Sequence, residues 1–162
     1  MTDHDDSTRA AGNRAAHRQD AMRGGRALRQ WRDLAVLAGR LLLSVLFLGG
    51  AAQKIADPAP AMALLTMRGL PEALLWPALA YNLIAGLALV AGWRMLPVAL
   101  SLAAYCGATS WFHLQPDDPW QMTIFVKNWS VAGGCLVLAA YGAGRFSLDA
   151  RKDRGRALRR PG

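Results

Sequence analysis

The sequence has only two cysteines, Cys106 and Cys135, among its 162 residues. Each stands alone within an apolar segment, and the chain contains no Cys-x-x-Cys pair. Disulfide frameworks and zinc sites depend on several cysteines at characteristic spacing. The sequence therefore favours two apolar-facing thiols over a disulfide, a redox pair or a metal site, and we expect no metal to be bound.

Charged residues are scarce in the middle of the chain and abundant at its ends. Residues 34–144 contain only Arg40, Lys54, Asp57, Arg68, Glu72, Arg94, Asp117, Asp118 and Lys127. The flanks, residues 1–33 and 145–162, hold 14 of the 19 basic residues. Hydrophobic residues make up 53% of the chain, too many for a disordered protein. A soluble domain would distribute its charges, so the pattern predicts a membrane-embedded core with basic ends.

The basic tails do not by themselves indicate nucleic-acid binding, although the net charge is +8. No recognition motif accompanies them, and each tail adjoins an apolar segment. Basic residues next to a membrane span set topology and contact anionic lipid. We therefore expect the lipid bilayer, and no nucleic acid, as the partner of these charges. The start of the chain has no short apolar run, so we also expect no cleavable signal peptide.

Four apolar segments predict an all-α fold, an integral membrane four-helix bundle. The segments lie at about residues 34–52, 73–92, 95–113 and 124–143. Each matches the roughly 20 residues that a helix needs to cross about 30 Å of hydrocarbon. Four such helices could not all be buried in a soluble protein of this size. The predicted organisation is a mobile basic N-terminal tail at 1–30, a four-helix membrane domain at 31–149 and a basic C-terminal tail at 150–162.

Charge asymmetry predicts that both termini are cytoplasmic. Four crossings return the chain to its starting side, and both tails and Arg94 fall there, as the excess of Lys and Arg on cytoplasmic loops requires. Trp31 and Trp93 would mark that boundary. Trp76 and Trp120 would mark the opposite one, since indole rings favour the headgroup level.

Arg40 lies near the cytoplasmic end of the first segment. Ionisable residues within a membrane face the bundle interior and either pair or serve function. A ligand or proton contact is one interpretation of Arg40. A structural ion pair with Asp149, just beyond the fourth segment, is favoured, because both residues lie near the same face and pairing reduces the cost of burial.

A second set of polar residues falls in the outer half of the bundle. The set comprises Lys54, Asn82, Tyr105, Thr109, His113, Gln121, Lys127 and Asn128. In a compact bundle these side chains would form a ligand pocket whose donors suit the carbonyl oxygens of a quinone or a small anion. The alternative is structural: Asn82 and Thr109 bridge helices, while His113 and Lys127 reach the headgroups.

The chain resembles the DoxX family of small four-helix bacterial membrane proteins over residues 38–149. The resemblance rests on Gly39-Arg40-Leu41-Leu42, Phe47 to Gly50, Lys54 with Asp57-Pro58, Gly69-Leu70-Pro71, Gly86-Leu87-Ala88-Leu89, Gly92, Phe125-Val126-Lys127-Asn128, Gly133-Gly134 and the run from Gly142 to Asp149. Similar proteins usually carry an acidic residue in the second helix where this chain has Asn82. That departure implies hydrogen bonding there instead of proton transfer.

The resemblance implies a location in the bacterial inner membrane and a role in redox chemistry. Named family members are subunits of quinone-linked oxidoreductases or partners of membrane redox complexes. The sequence has no heme, flavin or iron–sulfur motif, so electron transfer would need a quinone or a redox protein partner. We expect a quinone-interacting or accessory subunit, at most part of an oxidoreductase. The alternatives are a non-catalytic membrane scaffold and a small-molecule permease, which the absence of a repeat or broken helix disfavours.

Overall fold

The computed structural model describes residues 3–158, with side chains from 22 to 156. The described secondary structure is entirely helical. The α-helices are α1 (Asp3–Ala56), α2 (Ala59–Met67), α3 (Leu75–Ala91), α4 (Met95–Ser110), α5 (Pro119–Tyr141) and α6 (Leu148–Leu158). Short 3-10 helices, Glu72–Leu74 and Trp111–His113, precede α3 and follow α4.

The chain divides into two compact units, residues 1–35 and 36–162. The described part of the first unit is helical, and most of its described side chains are exposed. The second unit contains the rest of α1, from Val36 to Ala56, and the other described helices. Helix α1 begins at Asp3, earlier than the sequence places the start of the first helix, and the predicted C-terminal tail contains most of α6.

Four helical stretches are long and apolar enough to cross a membrane, which confirms the predicted fold class. They are Met22–Ala56, Glu72–Ala91, Met95–His113 and Pro119–Tyr141. Large apolar side chains remain exposed on these helices, for example Leu42 at 73% and Ile84 at 65%. Such exposure is expected where lipid, not water, surrounds the protein. Which side of the membrane holds the termini stays a prediction.

The buried core lies between the helices of the second unit. Its members include Phe47 from α1, Leu89 from α3, Leu102 from α4 and Cys135 from α5. Cys106 is also in this core, and both cysteines are free thiols. Helices α4 and α5 pack along their length, and α3 precedes α4 through a turn of three residues.

Close helix approach depends on Gly86. A Cβ atom at this position would lie 2.8 Å from a side-chain methyl of Leu48 on α1. Small residues at helix interfaces allow such backbone proximity in membranes. Gly86 therefore acts as a packing residue between α3 and α1.

The turn between α3 and α4 contains two left-handed residues. Gly92 ends α3 with φ of 64°, and Arg94 precedes α4 with φ of 48°. Both oxygens of Asp149 accept hydrogen bonds from this turn, from the amides of Arg94 at 2.9 Å and Met95 at 2.8 Å. Asp149 thus caps α4 from outside, since Arg94 makes no side-chain cap of its own.

The buried guanidinium of Arg40 joins three segments at this end of the bundle. It donates to the carbonyls of Leu89 at 3.0 Å and Val90 at 2.9 Å, where α3 ends. It also donates to the carbonyls of Ala143 and Phe146, which follow α5. These carbonyls belong to helix ends or loops, where no backbone amide of the same helix is available to donate a hydrogen bond to them.

The expected contact of Arg40 with Asp149 takes an indirect form. The two charges are close enough to attract. The hydrogen bonds of Arg40, however, go to backbone carbonyls, and those of the Asp149 carboxylate come from backbone amides. We call the region around Arg40, Arg94 and residues 145–156 the basic end of the bundle.

Candidate functional site

Asn82 lies at the middle of the buried face of α3. Leu75, Leu79 and Leu89 share this face at helical spacing, so the residue between them must also point inward. Only 4% of Asn82 is exposed. Its Nδ2 donates to the hydroxyl of Tyr105 on α4 at 3.2 Å. Its Oδ1 is buried and, within the described chain, accepts no hydrogen bond.

The unpaired Oδ1 is chemically unusual. A buried carbonyl oxygen without a donor destabilises a protein by about 1 to 3 kcal/mol. Within a membrane no bulk water can supply that donor. Asn82 is therefore a position where a ligand that carries a hydroxyl would gain a hydrogen bond.

Tyr105 belongs to a pair of tyrosines that links α3 and α4. Its ring centroid lies 5.1 Å from that of Tyr81, with a tilt of 42°. The Tyr81 hydroxyl donates to Ser101 at 2.8 Å, whereas the Tyr105 hydroxyl is the partner of Asn82. Sequence reasoning missed Tyr81, although its position next to Asn82 and its aromatic ring were available signals.

Lys54 and Lys127 bring two like charges into the half of the bundle away from the basic end. Lys54 is half-buried on α1 and donates to the carbonyl of Gly50 at 3.2 Å. Lys127 is exposed on α5 and lies close enough to repel Lys54 electrostatically. Within the described residues neither lysine has an ion pair with a carboxylate. Acceptor atoms from a ligand would relieve this repulsion.

His113 and Gln121 form a separate contact at the end of the bundle. The Nδ1 atom of His113 lies within hydrogen-bond distance of Oε1 of Gln121, at 2.7 Å. Asp118 positions Gln121, because its carboxylate accepts from the backbone amides of Trp120 at 2.9 Å and Gln121 at 3.2 Å. This contact ties the end of α4 to the start of α5.

The remaining two predicted residues contribute less. The hydroxyl of Thr109 donates to carbonyls of its own helix, those of Tyr105 at 2.8 Å and Cys106 at 3.3 Å. Asn128 is half-buried and follows Lys127 on α5. Asn82 thus pairs with Tyr105, Lys54 faces the like charge of Lys127, and His113 contacts Gln121. Thr109 bonds within its own helix, and Asn128 is not joined to these groups by any hydrogen bond among the described residues.

Two surface cavities lie away from these residues. One of about 540 Å³ is lined by α2 residues and Glu72. The other, of about 460 Å³, lies at the basic end. Neither is lined by any of the eight predicted residues. The buried residues of α5 are Ala132, Cys135 and Leu138, all in its second half.

Sequence reasoning also missed the role of Arg68. Its Nη2 donates to the carbonyls of Trp111 at 2.8 Å and Leu114 at 3.1 Å, and the guanidinium stacks 4.8 Å from the Trp111 ring. Arg68 therefore fastens the loop after α2 to the end of α4. Its position directly before Gly69 gave no signal of this role.

The family model described as DoxX matches residues 35–115. The matched region is 81 of the 162 residues, half of the chain. The chain belongs to the DoxX family.

One relative of this DoxX protein is the inner membrane protein YqjF of Escherichia coli strain K12. The two are 28% identical over 123 residues, which cover 75% of this chain and 95% of YqjF. No solved structure matches the chain. With four helices that can span a membrane, this DoxX protein is a multi-pass inner-membrane protein that lies in the lipid bilayer.

Proposed function

We propose that this DoxX protein is an accessory subunit of a membrane redox complex and binds a quinone headgroup in its outer half. The observation that carries the proposal is the buried, unpaired Oδ1 of Asn82 beside the Tyr105 hydroxyl. When bound, a quinone supplies two-electron acceptor chemistry that this chain lacks. The electron donor would be a partner subunit.

The donors and acceptors of the site suit both redox forms of such a headgroup. A quinone presents two carbonyl oxygens, which the ammonium groups of Lys54 and Lys127 would bind. A quinol presents hydroxyl groups, one of which would donate to Oδ1 of Asn82. The residues of this chain would therefore hold and orient the ring.

The headgroup would enter from the lipid between α1 and α5. Lys54 is on α1 and Lys127 is on α5. No residue of α5 before Ala132 is buried, so the outer half of this helix is only loosely covered. A quinone with an apolar tail partitions into lipid and would reach the site laterally.

The test is a titration of the purified protein in lipid nanodiscs with a short-chain ubiquinone analogue, followed by tryptophan fluorescence. Trp129 packs near Gly107, at about the depth of the site, and would report occupancy. We expect saturable quenching in the wild type. Lys54→Gln should weaken binding of the quinone, and Asn82→Leu should weaken binding of its reduced quinol form, titrated in the same way, each by about tenfold or more, the effect of one hydrogen bond in a site without water.

Two tyrosines provide the matched control. Tyr105→Phe removes the hydroxyl that contacts Asn82, whereas Tyr81→Phe removes one that contacts Ser101. Weaker quinone binding in Tyr105→Phe, with unchanged binding in Tyr81→Phe, would support the site. Linear, unsaturable quenching that is identical in all variants would overturn the quinone proposal.

A second candidate function is that of a non-catalytic scaffold that docks a partner helix on α5. It is favoured by Gly133, which is exposed and where an added Cβ atom would have no neighbour within 4 Å. Gly133→Leu should then release the protein from a larger complex on native gels. Ala80→Leu adds similar bulk to an exposed position of α3 and should not. Equal migration of wild type and both variants would argue against this function.

A further inference from the structure

The cavity at the basic end has the features of an anion site. Its volume of about 460 Å³ falls in the usual range for small-ligand pockets. Three arginines, Arg145, Arg151 and Arg154, line it. Guanidinium groups bind phosphate oxygens in a bidentate manner, so this concentration of arginine is suited to a phosphate.

Helix α6 separates its charges by face. Arg151 and Arg154 follow Leu148 at intervals of three residues and so share its side of the helix, whereas Asp149 and Asp153 fall on the other side. The Asp149 carboxylate is moreover occupied by the amides at the start of α4. The cavity wall formed by α6 is therefore basic without acidic neighbours on the same face.

The cavity lies at the membrane surface. Ala91, which ends the membrane-spanning part of α3, is part of its lining. Phe146 and Leu148 complete the apolar part of the wall and are 47% and 41% exposed. Trp93, two residues beyond Ala91, has the guanidinium of Arg94 at 5.7 Å from its ring centroid, an arrangement typical of the headgroup level.

We propose that this cavity binds the phosphate-bearing headgroup of an anionic phospholipid, such as phosphatidylglycerol. The arginines would hold the phosphate, and the apolar wall of Ala91, Phe146 and Leu148 would contact the lipid backbone. A free phosphate ion could use the arginines but not the apolar wall. The combination of both walls at the membrane surface therefore selects a lipid.

The experiment measures binding of short-chain phosphatidylglycerol to the full-length protein in a neutral detergent, by titration calorimetry and by native mass spectrometry. The pocket variant is Arg151→Gln with Arg154→Gln. The matched control is Lys152→Gln with Arg156→Gln, which removes the same charge from two residues of α6 that do not line the cavity. All four residues are exposed, so both variants retain the buried core.

We expect one phosphatidylglycerol to remain bound to the wild type and binding to weaken by about tenfold or more in the pocket variant. The control should weaken binding by less than about fivefold in total, the general attraction of about one basic residue near an anionic surface. Phosphatidylcholine of the same chain length should not compete. An equal loss of binding in both variants would overturn the cavity as the binding site, because it would show that the lipid responds only to the general surface charge. Competition by inorganic phosphate as strong as that by the lipid would overturn the assignment to a lipid.

Discussion

Arg40 lies directly against the bare backbone of Gly92. A Cβ atom on Gly92 would approach Nη1 of Arg40 to 2.8 Å and Cβ of Ser147 to 2.5 Å. Gly92 also has φ of 64°, a conformation that other residues rarely adopt. The backbone of this turn thus leaves room for the guanidinium that joins α3 to the segment after α5.

Gly92→Ala should therefore destabilise the protein by about 2 to 5 kcal/mol. The positive φ accounts for about 1 to 2 kcal/mol and the crowding against Arg40 and Ser147 for about 1 to 3 kcal/mol. Unfolding in an SDS titration measures the change. Gly39→Ala is the control, because nothing lies within 4 Å of a Cβ atom there. Equal stability of the two variants would contradict the prediction.

Arg40→Ala should destabilise the protein by at least about 3 kcal/mol, because hydrogen bonds from a charged donor to four carbonyls are lost. Arg40→Lys should rescue only part of this loss, since an ammonium group cannot reproduce the planar fork. Size-exclusion chromatography and thermal unfolding provide the measurements. Arg94→Ala, at an exposed position, should change stability little. Full rescue by lysine would show that charge alone matters.

Asp149→Asn should destabilise the protein by about 1 to 2 kcal/mol, the usual effect of losing a helix cap. The carboxylate accepts from two amides at the start of α4, and the amide side chain of asparagine retains a single acceptor oxygen. Asp153→Asn, on the same helix, is the exposed control and should shift stability by less than about 0.5 kcal/mol. Thermal unfolding of both variants tests the difference, and a matching shift would refute the capping role.

Asn82→Leu should leave the free energy of unfolding within about 1 kcal/mol of the wild type or raise it. The substitution removes a buried carbonyl that has no donor, at the expense of one hydrogen bond to Tyr105. Asn82→Ala should be less stable than Asn82→Leu, because it leaves a cavity. Thermal unfolding without added quinone is the measurement. A loss above about 2 kcal/mol in Asn82→Leu would place Asn82 among the residues that hold the helices together.

Much of the candidate site could be predicted only as a set of residues at similar depth. The hydrogen bond of Asn82 to Tyr105 was within reach of the sequence, because both residues fall near the middle of neighbouring membrane-spanning helices. The sequence could not predict that His113 and Gln121 form a contact separate from that pair, since this contact depends on the 3-10 turn after α4. The exposure of Lys127 likewise follows from the rotation of α5.

The hydrogen-bond partners of Arg40 could likewise not be predicted from the sequence. Its position near one end of the membrane was evident from the sequence, and the nearby carboxylate of Asp149 made an ion pair the natural expectation. The structure instead directs its hydrogen bonds to carbonyls 49 to 106 residues away. Any residue has such a carbonyl, so no sequence pattern distinguishes these acceptors.

A membrane location, four membrane-spanning helices and basic ends can all be inferred from the order of the amino acids. That result follows from segment length, apolar content and charge, which act on each segment independently of the others. The surroundings of the polar atoms are set by the packing of the helices. They include the unpaired oxygen of Asn82, the carbonyls around Arg40 and the arginines of the cavity at the basic end. Those contacts depend on the rotation and register of packed helices, which are set by the shapes of all the neighbouring side chains together.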